Sequence, residues 1–336
     1  MIKNFFRDNP IHKKIVPFID LIMISSPVIF FFIWPLLSIG IFIYFLSIDA
    51  TYVNIYNVDM STLLFFVGCS MFVAGTSIVN SINVLQKEKV NKFTVIDSKI
   101  SISHCRNFSY TLLVIGTIIL FYLSYKIVIS ILMFAIFWGV IYGHEKFQGE
   151  NGYINILFCY ILSGYSLILT GYLFGFIYLG LEDVSFFNSF ISSLFYQLVY
   201  VLLSLSIVIV ILSNSNQKYF NKEMTIYLSL VLFVVSFLIG MKLSDPLSTT
   251  FSLSGIPFIL YACIRGMEKD FIRVISYSVL FLNLYVFTIH PFLFFPSLIV
   301  YYLSKYYYWH RFDLHYPSLV IGDDSDNSHY YPQEIL

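Results

Sequence analysis

The chain has 336 residues, of which 58% are hydrophobic, 20% aromatic and only 11% charged, with a formal net charge of zero. With a mean hydropathy of +0.81, this composition excludes a water-soluble globule, which needs far more charge to cover its surface. The balanced charge gives no reason to expect nucleic acid as a partner. Four scattered cysteines, with no CxxC pair and no Cys/His cluster, argue against a disulfide framework or a zinc site.

The expected solvent is therefore a bilayer, and a spanning helix needs about 20 apolar residues. Apolar runs fall at roughly 15–48, 61–86, 107–125, 127–142, 153–181, 189–213, 223–241, 250–264 and 272–303. They predict an all-α, multi-pass membrane protein with about nine transmembrane helices, forming one bundle over residues 1–304. The basic stretch to Lys14 opens a run much longer than a signal h-region, and no small-residue cleavage site closes it, so it reads as a retained first helix. Pro27 and Pro35 interrupt that run, which predicts either one kinked helix or a helix plus an interfacial piece. The last run contains His290-Pro291 and Pro296, so it either crosses once or turns back. Residues 305–336 form a separate segment: an aromatic-basic interface belt from Lys305 to Arg311, then a polar tail with Asp323, Asp324 and Asp326. The side of the membrane on which this tail lies is left open.

Lysine and arginine set the orientation. Lys3, Arg7, Lys13 and Lys14 precede the first run, and Lys87, Lys89, Lys92, Lys99 and Arg106 follow the second. Lys146, then Lys218 and Lys222, then Arg265, Lys269 and Arg273 lie in alternate connections, while the intervening loops are poor in base. The N-terminus and the base-rich loops are expected in the cytoplasm.

Three polar stretches fall on that side. The first runs Asn80-Ser-Ile-Asn-Val-Leu-Gln-Lys-Glu88-Lys-Val-Asn91-Lys92. The second is Tyr142-Gly-His-Glu-Lys146, and the third is Ser213-Asn-Ser-Asn-Gln-Lys218, which has no acid until Glu223. Read alone, they are a polar helix end with a solvated Lys/Glu run, a snorkelling interface pair and a loop cluster. Asp20, inside the first run, is a candidate functional acid or a hydrated interface residue. His290 reads as a satisfied histidine at a helix break.

Taken in order, the three stretches resemble the motifs of the UbiA-type intramembrane prenyltransferase superfamily. Its first motif, Asn-Asp-x-x-Asp-x-x-x-Asp followed by Asn, is matched by Asn80, Glu88 and Asn91-Lys92, with Ser81 and Val84 at the other two acidic positions. Asp97-Ser-Lys99-Ile-Ser101 resembles the Ser-Gly-Arg-Ile-Ser stretch that follows it, and Tyr142 with Lys146 matches Tyr-x-x-x-Lys. The third stretch takes the place of a second aspartate motif.

The resemblance implies a UbiA-like bundle with a cytoplasm-facing cavity that transfers a prenyl group from a prenyl diphosphate to a lipophilic or aromatic acceptor in the lipid. It implies catalytic roles for Glu88, Tyr142 and Lys146. It also implies substrate-binding roles for Asn80, Asn83, Asn91, Lys92, Lys99, Asn214, Asn216 and Lys218. Magnesium, held by Glu88 with amide oxygens of Asn80 or Asn83, is the implied cofactor, since a hard cation wants oxygen ligands. Two alternatives stay open: an altered or inactive protein of the same fold that holds an isoprenoid or a partner protein, and a transporter. The second lacks the paired broken helices expected of one.

Overall fold

The computed structural model describes residues 10–48, 59–87, 100–141, 152–178, 186–215, 222–265, 268–312, 314–315 and 320–321. Nearly all of these are helical. In chain order the helices are α1 (Pro10–Met23), α2 (Phe30–Ser47), α3 (Met60–Lys87), α4 (Ile102–Leu123) and α5 (Tyr125–Phe134), which continues as a π-helix over Ala135–Ile141. Then come α6 (Gly152–Tyr178), α7 (Phe186–Ser215), α8 (Lys222–Lys242), α9 (Pro246–Arg265), α10 (Glu268–Ile289) and α11 (Phe294–Phe312). A two-residue antiparallel pair, β1 (Leu314–His315) with β2 (Val320–Ile321), ends the described chain. Among the described residues, seven helices are long and apolar enough to cross a membrane, and two shorter apolar helices accompany them. A bilayer leaves backbone groups no outside partner, which is why such apolar runs close their hydrogen bonds within a helix. The outward side chains are apolar too: Phe121 and Tyr122 on α4 are exposed where a soluble protein would place charge.

Side-chain contacts give the direction of each helix. Gly68 and Gly75 of α3 lie beside Leu120 and Leu113 of α4, an antiparallel pairing. Ser130 of α5 meets Thr170 of α6 at 2.6 Å and Trp138 meets Tyr160 at 5.2 Å, again antiparallel. The α6–α7 pairing is antiparallel as well, with Tyr165 donating to Gln197 at 2.8 Å and Tyr172 meeting Phe190 at 5.9 Å. By contrast α2 and α6 run parallel: Leu37 lies beside Gly171, and Tyr44 beside Gly175. Their backbones approach so closely that a Cβ on Gly40 or Gly171 would overlap a carbonyl oxygen of the partner helix, of Ile168 or Leu37.

The two irregular runs both divide. In the first, Ser26 adopts a left-handed conformation (φ 50°, ψ 61°) ahead of a 3-10 turn at Pro27–Ile29, which separates α1 from α2. Pro35 stays inside α2 without ending it. With only 14 residues, α1 is too short to span. It wedges between helix ends: Ile19 and Met23 pack on Tyr307 of α11, and Ile24 packs on Ile78 and Ile82 of α3 and Cys105 of α4. The last run turns back at His290. Phe66, near the start of α3, touches the His290 ring at 5.6 Å, and Tyr307, near the end of α11, reaches α1. Ten helices, α2 to α11, therefore alternate in direction among the described residues, where the apolar runs predicted about nine.

All four cysteines are free, and three are buried. Asp20 is 2% exposed, so the hydrated alternative read from its position near the run's start does not hold. Nor is His290 satisfied: its Nδ1 is buried and meets no hydrogen-bond partner among the described residues.

Candidate functional site

The alternation of helices places the C-terminal ends of α3, of α5 with its π-helix, and of α7 on one face of the bundle. These ends lead into the three polar stretches and define the motif face.

On α3 the inward residues toward this end are Thr76, Ser77 and Asn80, all buried, followed by half-buried Asn83. Spacings of three and four keep them on neighbouring positions of one helix side. Thr76 donates to the Phe72 carbonyl at 3.0 Å, and Ser81 donates to the Ser77 carbonyl at 2.9 Å. The Ser77 Oγ and the Asn80 Oδ1 have no partner among the described residues. An unpaired buried acceptor costs about 1–3 kcal/mol of desolvation, a state these two share with buried hydroxyls elsewhere in the bundle such as those of Ser38, Ser229 and Ser278. Ser77 carried no signal in the sequence, because a serine one turn before a motif is indistinguishable from an ordinary small helix residue.

The second stretch is delivered by an unusual element. The π-helix over Ala135–Ile141 packs against both α3 and α6. Trp138 anchors it, stacked on Phe134 at 6.1 Å and edge-on to Tyr160 at 5.2 Å. Its last residue directly precedes Tyr142, so the Tyr-x-x-x-Lys stretch follows in sequence from a helix end packed on α3. π-helical turns widen the helix and re-aim the chain beyond them, and they recur at functional sites. Nothing in the sequence from 135 to 141 distinguishes it from an ordinary apolar α-helix.

Asn214 lies in the last turn of α7, on the motif face; its side chain is outside the described residues, as are Glu88, Asn91, Lys92, Lys99, Tyr142, Lys146, Asn216 and Lys218. The structure thus brings the three carrier helices to one face.

The same face holds an ion-pair cluster that no sequence motif marks. Asp270, 1% exposed, sits between Arg273 at 3.0 Å and Arg265 at 3.5 Å, across the connection from α9 to α10. The Arg265 guanidinium also lies over the Tyr261 ring, 5.2 Å from its centroid. Its Oδ1 accepts from Arg273, while its Oδ2 lies within ion-pair range of the Arg265 Nε without a hydrogen bond, so the carboxylate balances charge on both guanidinium groups.

Among the described residues, no three His, Cys, Asp or Glu side chains come together as a metal would need. The Asn80 amide oxygen alone is not a magnesium site, because that ion takes carboxylates and phosphates in near-octahedral geometry. The described donors do not fit the implied cofactor.

No protein-family profile matches the sequence, and no curated protein matches it. A solved structure does. It belongs to a study titled "Structural and mechanistic insights into the biosynthesis of Digeranylgeranylglyceryl phosphate synthase in membranes" and is 16% identical, with a TM-score of 0.53. The match covers 82% of this chain and 97% of that one. That synthase is a UbiA-type prenyltransferase, and the likeness gives this chain the fold of that class: a UbiA-like helical membrane bundle.

Proposed function

We propose that the protein is an intramembrane prenyltransferase that moves a prenyl group from a prenyl diphosphate to a lipophilic or aromatic acceptor. The observation that carries this reading is the common face shared by the ends of α3, the π-helix and α7, in a bundle of the UbiA-like fold. In such a transfer the bond between the prenyl C1 and the diphosphate oxygen breaks, and its electron pair leaves with the diphosphate. The acceptor's nucleophilic atom supplies the pair for the new bond to C1 and releases a proton.

What the chain must supply is a place for a multiply charged leaving group. Lys92, Lys146 and Lys218 within the three motif stretches, and Lys99 just after the first, are the cations assigned to it, and a lysine holds phosphate as a point charge. Tyr142 adds a hydrogen bond. The amides of Asn80, Asn83, Asn91, Asn214 and Asn216 orient the phosphate oxygens, and Glu88 takes the acceptor side or an assisting cation. Enzymes of this class generally use magnesium held by aspartates. Here Ser81 and Val84 stand where two of those acids would be, so lysine is expected to carry more of the charge than metal. The motif face is proposed to be cytoplasmic, on the basic residues in its connections.

The test is direct binding of a prenyl diphosphate to the purified protein and to Lys146→Ala. Loss of one charge-assisted contact, about 1.5–3 kcal/mol, weakens binding about ten- to a hundred-fold. Unchanged affinity would remove Lys146 from the site. Tight binding without turnover would instead assign the chain an isoprenoid-holding role, which the replaced acids at 81 and 84 favour.

A further inference from the structure

The connection from α9 to α10 fixes two arginines at the edge of the motif face. The Arg273 Nη1 donates to the Asp270 Oδ1 at 3.0 Å, and the Arg265 Nε lies 3.5 Å from the Oδ2. Arg265 is held a second time by Tyr261, whose hydroxyl accepts from its Nη1 and whose ring faces the guanidinium. The carboxylate is 1% exposed, whereas the side chains of Arg265 and Arg273 are 38% and 52% exposed. Two cations therefore share one buried anion. Glu268 and Lys269, between them in sequence, carry opposite charges, so the connection keeps one net positive charge. Helix dipoles account for Arg265 in the last turn of α9 and Asp270 at the start of α10. They give no reason for a second arginine.

Exposed apolar stripes run away from both arginines. On α10, Tyr277, Leu280 and Leu284 follow Arg273 at steps of four, seven and eleven residues, all exposed, and such spacing keeps them on one side of the helix. On α9, Ile264, Leu260 and Leu253 precede Arg265 and are exposed too. The two helices pack together, with Phe258 meeting Tyr277 at 4.6 Å and Phe281 at 5.6 Å. From Arg273 to Leu284 the chain moves 11 residues, about 16 Å of helix, and the hydrocarbon of one leaflet is about 15 Å deep. The arginines thus stand at headgroup level, and the stripes at the level of acyl chains. We propose that this is a binding site for an anionic phospholipid of the motif-face leaflet. Its phosphate rests on Arg265 and Arg273, and its chains lie along α9 and α10. A guanidinium fork matches phosphate oxygens, and Asp270 and Tyr261 hold the forks in advance, so little side-chain freedom is lost on binding. The site stands apart from the motif stretches and does not rest on the transfer reaction.

The experiment is native mass spectrometry of the full-length protein in detergent, titrated with phosphatidylglycerol, with phosphatidylcholine, and with glycerol 3-phosphate as a soluble source of the same phosphate. The native chain is expected to bind its first phosphatidylglycerol at least about five-fold more tightly than phosphatidylcholine. Arg273→Gln, which leaves the Arg265–Asp270 pair in place, should weaken phosphatidylglycerol about five-fold and leave phosphatidylcholine unchanged. Arg265→Gln should act in the same direction and serves if the first variant does not fold. Arg106→Gln is the control for general charge, because Arg106 is exposed at the start of α4, on the same face; it should keep the native preference. Equal affinity of the native protein for the two lipids overturns the site, as does a folded Arg273 or Arg265 variant that keeps the preference. A loss as large in Arg106→Gln overturns it too, since the preference then belongs to the whole face. Displacement of phosphatidylglycerol by equimolar glycerol 3-phosphate overturns the lipid assignment and gives the arginines to a soluble phosphate.

Discussion

Asp59 and Asp245 are both caps on the face opposite the motifs, and their environments push them in contrary directions. Asp59 precedes α3 and accepts from the Thr62 amide at 2.8 Å. Partial burial raises its pKa, but hydrogen bonds from Thr62 and Ser61 outweigh that and hold the carboxyl below its ordinary value. A depressed acid contributes stability above its unfolded pKa, and the contribution is lost as pH falls through the folded one. Asp59→Asn should therefore melt lower than the native protein at neutral pH, with the gap closing in strong acid, as read by thermal unfolding in detergent. Asp245 is fully buried before α9 and accepts from the Leu247 and Ser248 amides at 3.0 and 3.3 Å. Burial pushes its carboxyl up despite those bonds, so its contribution is present at low pH and declines as pH rises through the raised pKa. Asp245→Ala should cost about 0.5–2 kcal/mol through the lost cap, and Asp245→Asn clearly less. Equal melting of the two variants would show that the cap bonds do not matter. Both caps were legible only as acids beside helix starts. The sequence has no way to show that one is solvated and the other enclosed, because burial is a property of what packs from elsewhere in the chain.

At the scale of helices, the tightest seam is between α2 and α6, where Gly40 and Gly171 let the backbones touch. Small residues serve this purpose in membranes, where no hydrophobic force draws helices together and close contact must do so. Gly171→Ala places a methyl group into the Leu37 carbonyl and should cost at least about 1–3 kcal/mol; loss of monodisperse protein on size exclusion is the readout, and native-like melting would refute the seam's importance. Gly164, on the same helix, is a control: a Cβ there would meet only the end of Leu36, at 3.9 Å, so Gly164→Ala should be tolerated. Most helices were legible from apolar runs, because in a bilayer length and apolarity suffice. The exceptions were chain reversals inside one continuous run. His290-Pro291 leaves α10 and α11 equally apolar on both sides, so the run from 272 to 303 carried the break without showing which way the chain went next. The π-helix was invisible for a related reason: its seven residues are as apolar as the α-helix before them.

For the whole molecule, the return of α11 decides where the acidic tail begins. With ten alternating helices among the described residues, Phe312 ends at the motif face, the side that carries Asn80 and the helix end leading to Tyr142. Asp323, Asp324 and Asp326 themselves lie outside the described residues. Transfer from a prenyl diphosphate should be weakly dependent on magnesium in the full-length protein, and removal of residues after Arg311 should abolish whatever dependence exists. Robust magnesium-dependent turnover by the shortened protein would show that the amide-rich stretches suffice to hold the ion. The site itself was legible in the sequence only as an order of motifs along the chain, because the resemblance rests on a few polar residues. What the sequence did not offer was how the core beneath them is filled, which depends on rings contributed from α2, α3, α6 and the α10–α11 turn.

The wedge formed by α1 has a consequence for how the protein is made. Its Ile19 and Met23 find their partner in Tyr307, which is separated from them by nearly the whole bundle in sequence. α1 leaves the ribosome well before α11 and therefore waits, with that side uncovered, until α11 has been synthesised. The clasp between them can close only once α11 has been made. Translation arrested after His290 should leave α1 open to protease from the motif face, while the complete chain protects it. Equal protection in both would mean that α1 is already seated on α3 and α4 alone, and that the bundle has no final closing step.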